Sequence, residues 1–453
     1  MKIIKRVVTA VPEPEPLPAQ PSLDVPRLQQ LIRDALAKED TAHGAAALVE
    51  LEDTYGSLDL AVAAVGATVQ ARAEDLAGIT VQEIKAAHDR RVVESFERYE
   101  AAKAALAGPH DPVLDADGEL TYPHLDEFHG SMEAHKLAKA GIDAETAEEM
   151  RRLIAGRLAA VSEIQAMGGE HVFAPGSDPV IVKALNDGSK YYPSAWLAIS
   201  SSGREILATA DTSNGGFYRG TLEIPEATRK MVECQPLPEH LPFEPDPLGD
   251  YIGTGEIGDR GREIYAREAW WVAGESTDRG ADGKPTSGEA WEKWTHPTTG
   301  EVHWRYPEFE MRKVSEINVG PENPAVVAGM DQFVPVAVHE QAHRFEGVIE
   351  NVEALEVMFL TRRTTLPDGT LEEAQPYYYD PAVSIRPDHF TEKYTGRNRY
   401  LHGATEVFST GMEAVFAGQY GGFIGIGGRL PDAELQNFVL GVLVTCGGKR
   451  ADF

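Results

Sequence analysis

The sequence predicts an α+β chain: a helical N-terminal region, then a domain with a small mixed or antiparallel sheet and an active-site helix pair. Three observations lead there. From Val25 to about Gly108 the chain is rich in Ala, Leu, Glu and Arg, with apolar residues three and four apart, the period of one helix face. After about Gly169, β-branched and aromatic residues alternate with turn signals such as Asn-Asp-Gly and Asn-Gly-Gly, the texture of strands and hairpins. Residues 339–343 read His-Glu-Gln-Ala-His, a spacing that puts both imidazoles on one side of a helix.

Bulk properties narrow the field. At 453 residues the chain has room for two or three domains, each large enough to bury a core. With 42% hydrophobic and 25% charged residues its composition is that of a globular protein. Lys and Arg number 42 against 72 Asp and Glu, a net charge of -30. Such a surface repels phosphates and anionic lipid, so neither nucleic acid nor membrane is an expected partner. Cys234 and Cys446 are the only cysteines, too few for a disulfide framework or a Cys-rich zinc module, and they read as inert thiols. The opening "MKIIKRVVTAVPEPEPLPAQ" has too short an apolar run for a signal peptide, and no stretch is long enough to span a membrane. A cytoplasmic protein is expected.

The elements follow in order. Residues 1–24 form a Pro/Glu-rich arm or linker. Residues 25–168 form a helical region, read as a helical hairpin or small bundle, to which the resemblance given below adds a part in assembly or interaction. Within it, "DPVLDADGE" invites comparison with a calcium loop. Counting from Asp111, the sixth position is Ala116 where glycine is needed and the twelfth is Tyr122 where a bidentate Glu is needed, so an acidic turn is expected. "DAETAEEMRRLIAGRLAAVSEIQAMGG" is a further helix, with an N-cap Asp and a closing pair of glycines. Residues 169–453 form the second domain, and "HVFAPGSDPVIVKALNDGSKYYPSAWLAISSSGREILATADTSNGGFYRGTLEIP" reads as strands and hairpins. Trp270, Trp271, Trp291, Trp294 and Trp304 read as core aromatics of a small sheet. A helix then runs from the His-Glu-Gln-Ala-His segment to about Arg363, and another covers "GATEVFSTGMEAVFAG".

His339 and His343 can grip one metal ion, while Glu340 stands beside it to take a proton from water. The helix enters through an apolar run, and burial favours neutral, ligating imidazoles. The bland alternative is a pair of satisfied core histidines. A catalytic zinc uses three protein ligands and keeps a position for water. A third His in the HExxHxxGxxH pattern would fall at position 349, which is Ile. A Glu from a downstream helix remains: Glu406, followed three residues later by Ser409, with Glu413 about two turns further on as an alternative third ligand or as a group holding a His ring.

Thr405 to Thr410 resembles the Asn-Glu-x-x-Ser-Asp pattern of gluzincin zinc peptidases at the Glu and the Ser, with Thr at both flanking positions. Across roughly residues 185–445, the blocks "YYPSAWLAISSSGREILATADTSNGGFYRG", "VAVHEQAHRFE", "TEKYTGRNRY", "TEVFSTGMEAVF" and "DAELQNFVLGVL" resemble, in their order, the zincin-like metallopeptidase or toxin domains of phage minor head proteins and their prophage relatives. The resemblance implies a zinc metallopeptidase joined to a helical portion that handles assembly or delivery. It implies Zn2+ on His339, His343 and Glu406, Glu340 as general base, and Tyr400 or His402, with Tyr394 behind them, as donor to the oxyanion. It also implies a protein or peptide substrate, phage head proteins as partners, and a location in the host cytoplasm or the virion. A non-catalytic zinc that staples an assembly component is the rival reading. More remotely, Arg219 in "GGFYRGT" and Ser409 in "FSTG" resemble elements of ADP-ribosyltransferases, but only Glu413 follows where that family has a Gln/Glu-x-Glu pair.

Overall fold

The computed structural model of the chain describes residues 25–37, 42–106, 113–114, 120–140, 144–210, 216–233, 251–257, 263–267, 292–295, 302–319, 330–377, 381, 383–386, 388, 390–397, 405–417, 425 and 431–450. They are mostly helical with small sheets, an α+β content. In chain order they form α1 (Val25–Ala37), α2 (Ala42–Tyr55), α3 (Leu58–Ala77), α4 (Val81–Leu106), the hairpin β1 (Val113–Leu114) and β2 (Leu120–Thr121), α5 (Pro123–Ala140), α6 (Ala144–Ser162), α7 (Pro179–Ser189) and α8 (Ser194–Gly203). Strands β3 (Ile206–Thr209), β4 (Phe217–Glu233), β5 (Tyr251–Ile257), β6 (Glu263–Arg267), β7 (Glu292–Thr295) and β8 (Val302–Asn318) follow. Then come α9 (Val334–Val348), α10 (Val352–Arg363), the short strands β9 (Gln375–Pro376) and β10 (Ser384–Ile385), a 3-10 turn (Lys393–Gly396), α11 (Val407–Phe416) and α12 (Ala433–Thr445). None of the described helices is long and apolar enough to cross a membrane.

Compactness divides the chain discontinuously, where the sequence reading drew contiguous domains: Met1–Ala166 with Glu350–Gly447, and Met167–Ile349 with Gly448–Phe453. In the first unit, small residues let helices meet backbone to backbone. A Cβ on Gly66 of α3 would stand 1.6 Å from Asn437 O of α12, and one on Gly441 would stand 2.0 Å from Val62 O. Gly156 of α6 meets Ala73 O in the same way, at 2.4 Å. These approaches place α12 among the N-terminal helices although hundreds of residues separate them in sequence. Arg157 of α6 is fully buried and ties four helices together. It donates to Gln70 Oε1 (2.8 Å), to Val415 O (2.9 Å) and to Gln436 Oε1, and burial pulls its pKa down to about 9. The thiol of Cys446 is likewise buried, and burial pushes its pKa up to about 12; Cys234 lies outside the described residues.

In the second unit β8 is the spine of the six-stranded sheet. It pairs parallel with β3 and antiparallel with β4, β6 and β7, while β5 extends β6. One sheet face packs on α7 and α9 through Ile181, Ala184, Leu185, Ile206, Ala208, Ile317, Val319, Val336 and Ala337. Trp294 and Trp304 lie on β7 and β8; Trp270, Trp271 and Trp291 lie outside the described residues.

Two expectations are corrected. Residues 179–203 are helices, not strands. Asp178 caps α7 by accepting from the N–H groups of Val180 and Ile181, with Pro179 in the first turn. The Asn-Asp-Gly sequence lies inside that helix because Gly188 is a packing residue: a Cβ there would stand 2.6 Å from Gln341 Nε2 of α9. The helix expected to reach Arg363 ends at Val348 and restarts at Val352. Between them Asn351 takes the left-handed conformation, φ 69°, which Asn tolerates better than most residues.

Candidate metal centre

One side of α9 is locked into its own unit. Gln341 Nε2 donates to Leu185 O (3.1 Å) and Ala337 O (2.9 Å), which leaves its oxygen to accept from Ser189 Oγ (3.0 Å) and from His171 Nε2 (2.8 Å). His171 therefore carries its proton on Nε2, and burial lowers its pKa to about 4. Arg344, also buried, donates to Ser200 Oγ (2.6 Å), Ser200 O (3.0 Å) and Arg204 O (2.7 Å). Phe345 packs against Tyr192 and Trp196, at 4.6 and 5.6 Å between ring centroids. The Tyr192 hydroxyl donates to Val338 O at 2.5 Å. Burial, and then the nearby Glu346 and Glu340, push that phenol well above its ordinary pKa, so it stays a donor.

The other side carries the candidate metal ligands. His339 and His343 are four apart, their rings 5.0 Å between centroids and nearly perpendicular at 78°. Both are partly buried. His343 Nδ1 lies 3.0 Å from Glu346 Oε2. A carboxylate only accepts, so that nitrogen bears the proton and the lone pair on Nε2 is left to a metal. The sequence reading missed Glu346; its spacing of three from His343, on the same helix face, was the available signal. Glu340 is buried, 5% exposed. The chain enters β4 at Gly216, where a Cβ would stand 2.6 Å from Glu340 Oε1 and 2.4 Å from Val336 Cγ1. Only glycine lets backbone pass that close to this carboxylate.

Glu406 sits at the N-cap of α11 rather than within it and is 1% exposed. Ser409 Oγ donates to its Oε2 (3.0 Å) and Arg397 Nη1 to its Oε1 (3.3 Å). The start of α11 is fixed from another helix: Glu356 of α10, fully buried, accepts the Phe408 N–H at 2.7 Å. This satisfies one of the donors that a helix N-terminus leaves open.

Taking one atom from each residue, the ligand atoms of His339, His343 and Glu406 lie within 4.8 Å of one another, a group that could hold a metal ion. Two nitrogens and one carboxylate oxygen fit a zinc site with three protein ligands and an open position. Glu413 is not in that group; it is buried along α11. Tyr394 is in the 3-10 turn, and Tyr400 and His402 lie outside the described residues. Arg219 pairs with Glu316 at 3.2 Å. No family model, curated protein or solved structure matches the chain.

Proposed function

We propose that the chain is a zinc-dependent metallopeptidase, with His339, His343 and Glu406 as ligands and Glu340 as general base. The supporting observation is the convergence of three ligand atoms within 4.8 Å of one another, two of them on the helix that also carries a buried carboxylate next to the first His. A zinc ion held there supplies Lewis acidity, which makes water nucleophilic near neutral pH and polarises a carbonyl. The residues of the chain do the rest. Glu340 takes a proton from the attacking water and returns it to the departing amine nitrogen. Glu346 holds the His343 ring in one tautomer. The sequence resemblance to phage minor head and prophage toxin domains supports a protein or peptide as substrate and the host cytoplasm or the virion as setting.

The test is metal content by elemental mass spectrometry of the purified chain beside His339→Ala and Glu406→Ala. One zinc per chain, lost in both variants, is expected; no zinc in the unmutated chain after supplementation sinks the reading. Glu340→Gln separates catalysis from a structural staple. It should keep zinc and lose about 10²- to 10⁴-fold in peptide hydrolysis.

A further inference from the structure

The block Thr391 to Arg397, whose last residue reaches Glu406, is tightly built. Glu392 accepts the Tyr394 N–H (3.0 Å), and the Arg397 N–H closes the turn on Tyr394 O (2.9 Å). Arg386 N–H donates to Gly396 O (2.7 Å), so closely that a Cβ on Gly396 would stand 1.8 Å from Arg386 O. The hydroxyls of Thr395 and Thr410 meet at 2.9 Å and pin the turn to α11. Tyr377 stacks obliquely on Tyr394, 5.2 Å between centroids.

Arg397 leaves this turn and lies over the Tyr394 ring, 5.4 Å from its centroid. Its Nη1 donates both to the Tyr394 hydroxyl oxygen and to Glu406 Oε1. The pair differs from an ordinary surface ion pair, because the Arg397 side chain is 20% exposed and that of Glu406 1%. At 3.3 Å the contact is longer than the ~2.7–2.9 Å of a strong charge-assisted bond. An oxygen with two lone pairs, held this way, is aimed without being used up.

We propose that Arg397 is a positioning residue for Glu406. With Ser409 on one carboxylate oxygen and Arg397 on the other, the plane of the carboxylate is fixed before a metal arrives. The 3-10 turn exists to hold Arg397 in place. The proposal rests on the reading of Glu406 as a metal ligand.

The experiment measures zinc affinity of the full chain by competition with a chromophoric chelator, and the visible spectrum of the cobalt-substituted protein. Arg397→Met, Arg397→Lys and Tyr394→Phe are compared with the unmutated chain, and metal-free thermal melts report folding. Arg397→Met should bind zinc about 10- to 100-fold more weakly, with an altered cobalt spectrum; its metal-free melt should fall as well, since the buried Glu406 carboxylate loses its cation, and the spectrum is the readout that a loss of stability alone would not move. Arg397→Lys and Tyr394→Phe should fall between the two. If Arg397→Met does not fold, these milder variants carry the test by the same spectrum. Equal or tighter zinc binding with an unaltered spectrum overturns the proposal, since Arg397 would then be indifferent to the metal or a competitor for Glu406. An unmutated chain that binds neither metal removes the ligand reading, and Arg397's role with it.

Discussion

One face of α9 carries Gln341, Arg344 and Phe345; the other carries His339, His343 and Glu346. On the first face the polar groups meet an imidazole, hydroxyls and backbone carbonyls, and Phe345 packs against aromatic rings. On the second, a carboxylate orients one imidazole and two ring nitrogens converge with a third ligand. The first face holds the helix still, and the second uses that stillness. Two imidazoles four residues apart can share one metal ion only on a backbone that does not shift, so the rigidity of one face is a condition for the role proposed for the other.

That division can be broken from either side. The largest effect is expected at Arg344, where Met would strand the Ser200 hydroxyl and two carbonyls in the interior. Denaturant unfolding should show a loss of about 3 kcal/mol or more, and a loss under about 1 kcal/mol would mean that the network does not fix the helix. His171 comes next. Its folded pKa of about 4 lies below the unfolded value near 6.5, so the unfolded chain takes up the proton first as pH falls. The stabilisation is whole above about pH 6.5 and is lost progressively down to about pH 4, by at most about 3 kcal/mol. Unfolding curves across that window should show a steeper loss of stability in the unmutated chain than in His171→Gln. The smallest effect belongs to the reactive face. Glu346→Gln can still accept the His343 proton but lacks the charge, so zinc affinity should fall about 10-fold while the melt stays in place. A changed melt with unchanged zinc affinity would put Glu346 in the fold rather than in the site.

That His339 and His343 share one side of a helix was legible in the sequence, because it depends only on helical periodicity within five residues. The α+β character was legible for the same reason, since the Ala- and Leu-rich N-terminal stretches carry their own period. What failed was local reading of long-range packing. Asn186-Asp187-Gly188 signals a turn when read alone, but Gly188 is small because α9 lies against it. Glu406 was legible as a residue type, while its position at the N-cap depends on Glu356 capping Phe408 from another helix, and no spacing rule encodes that. Glu346 was legible too, three residues past His343 on the same helix face.

The exit from α9 is completed by chain made much later. Arg450 donates its backbone N–H to Val348 O (3.0 Å) and, across 104 residues of sequence, its guanidinium to Glu346 O (3.3 Å), and Lys449 bridges to Ile349. The end of the helix that carries both histidines is therefore closed by a segment that the chain makes last of all its described residues. Contacts of such long sequence separation form slowly. A half-made chain would carry both histidines before it had either Glu406 or the segment that closes their helix, so the group that could hold a metal ion is complete only once both have been made.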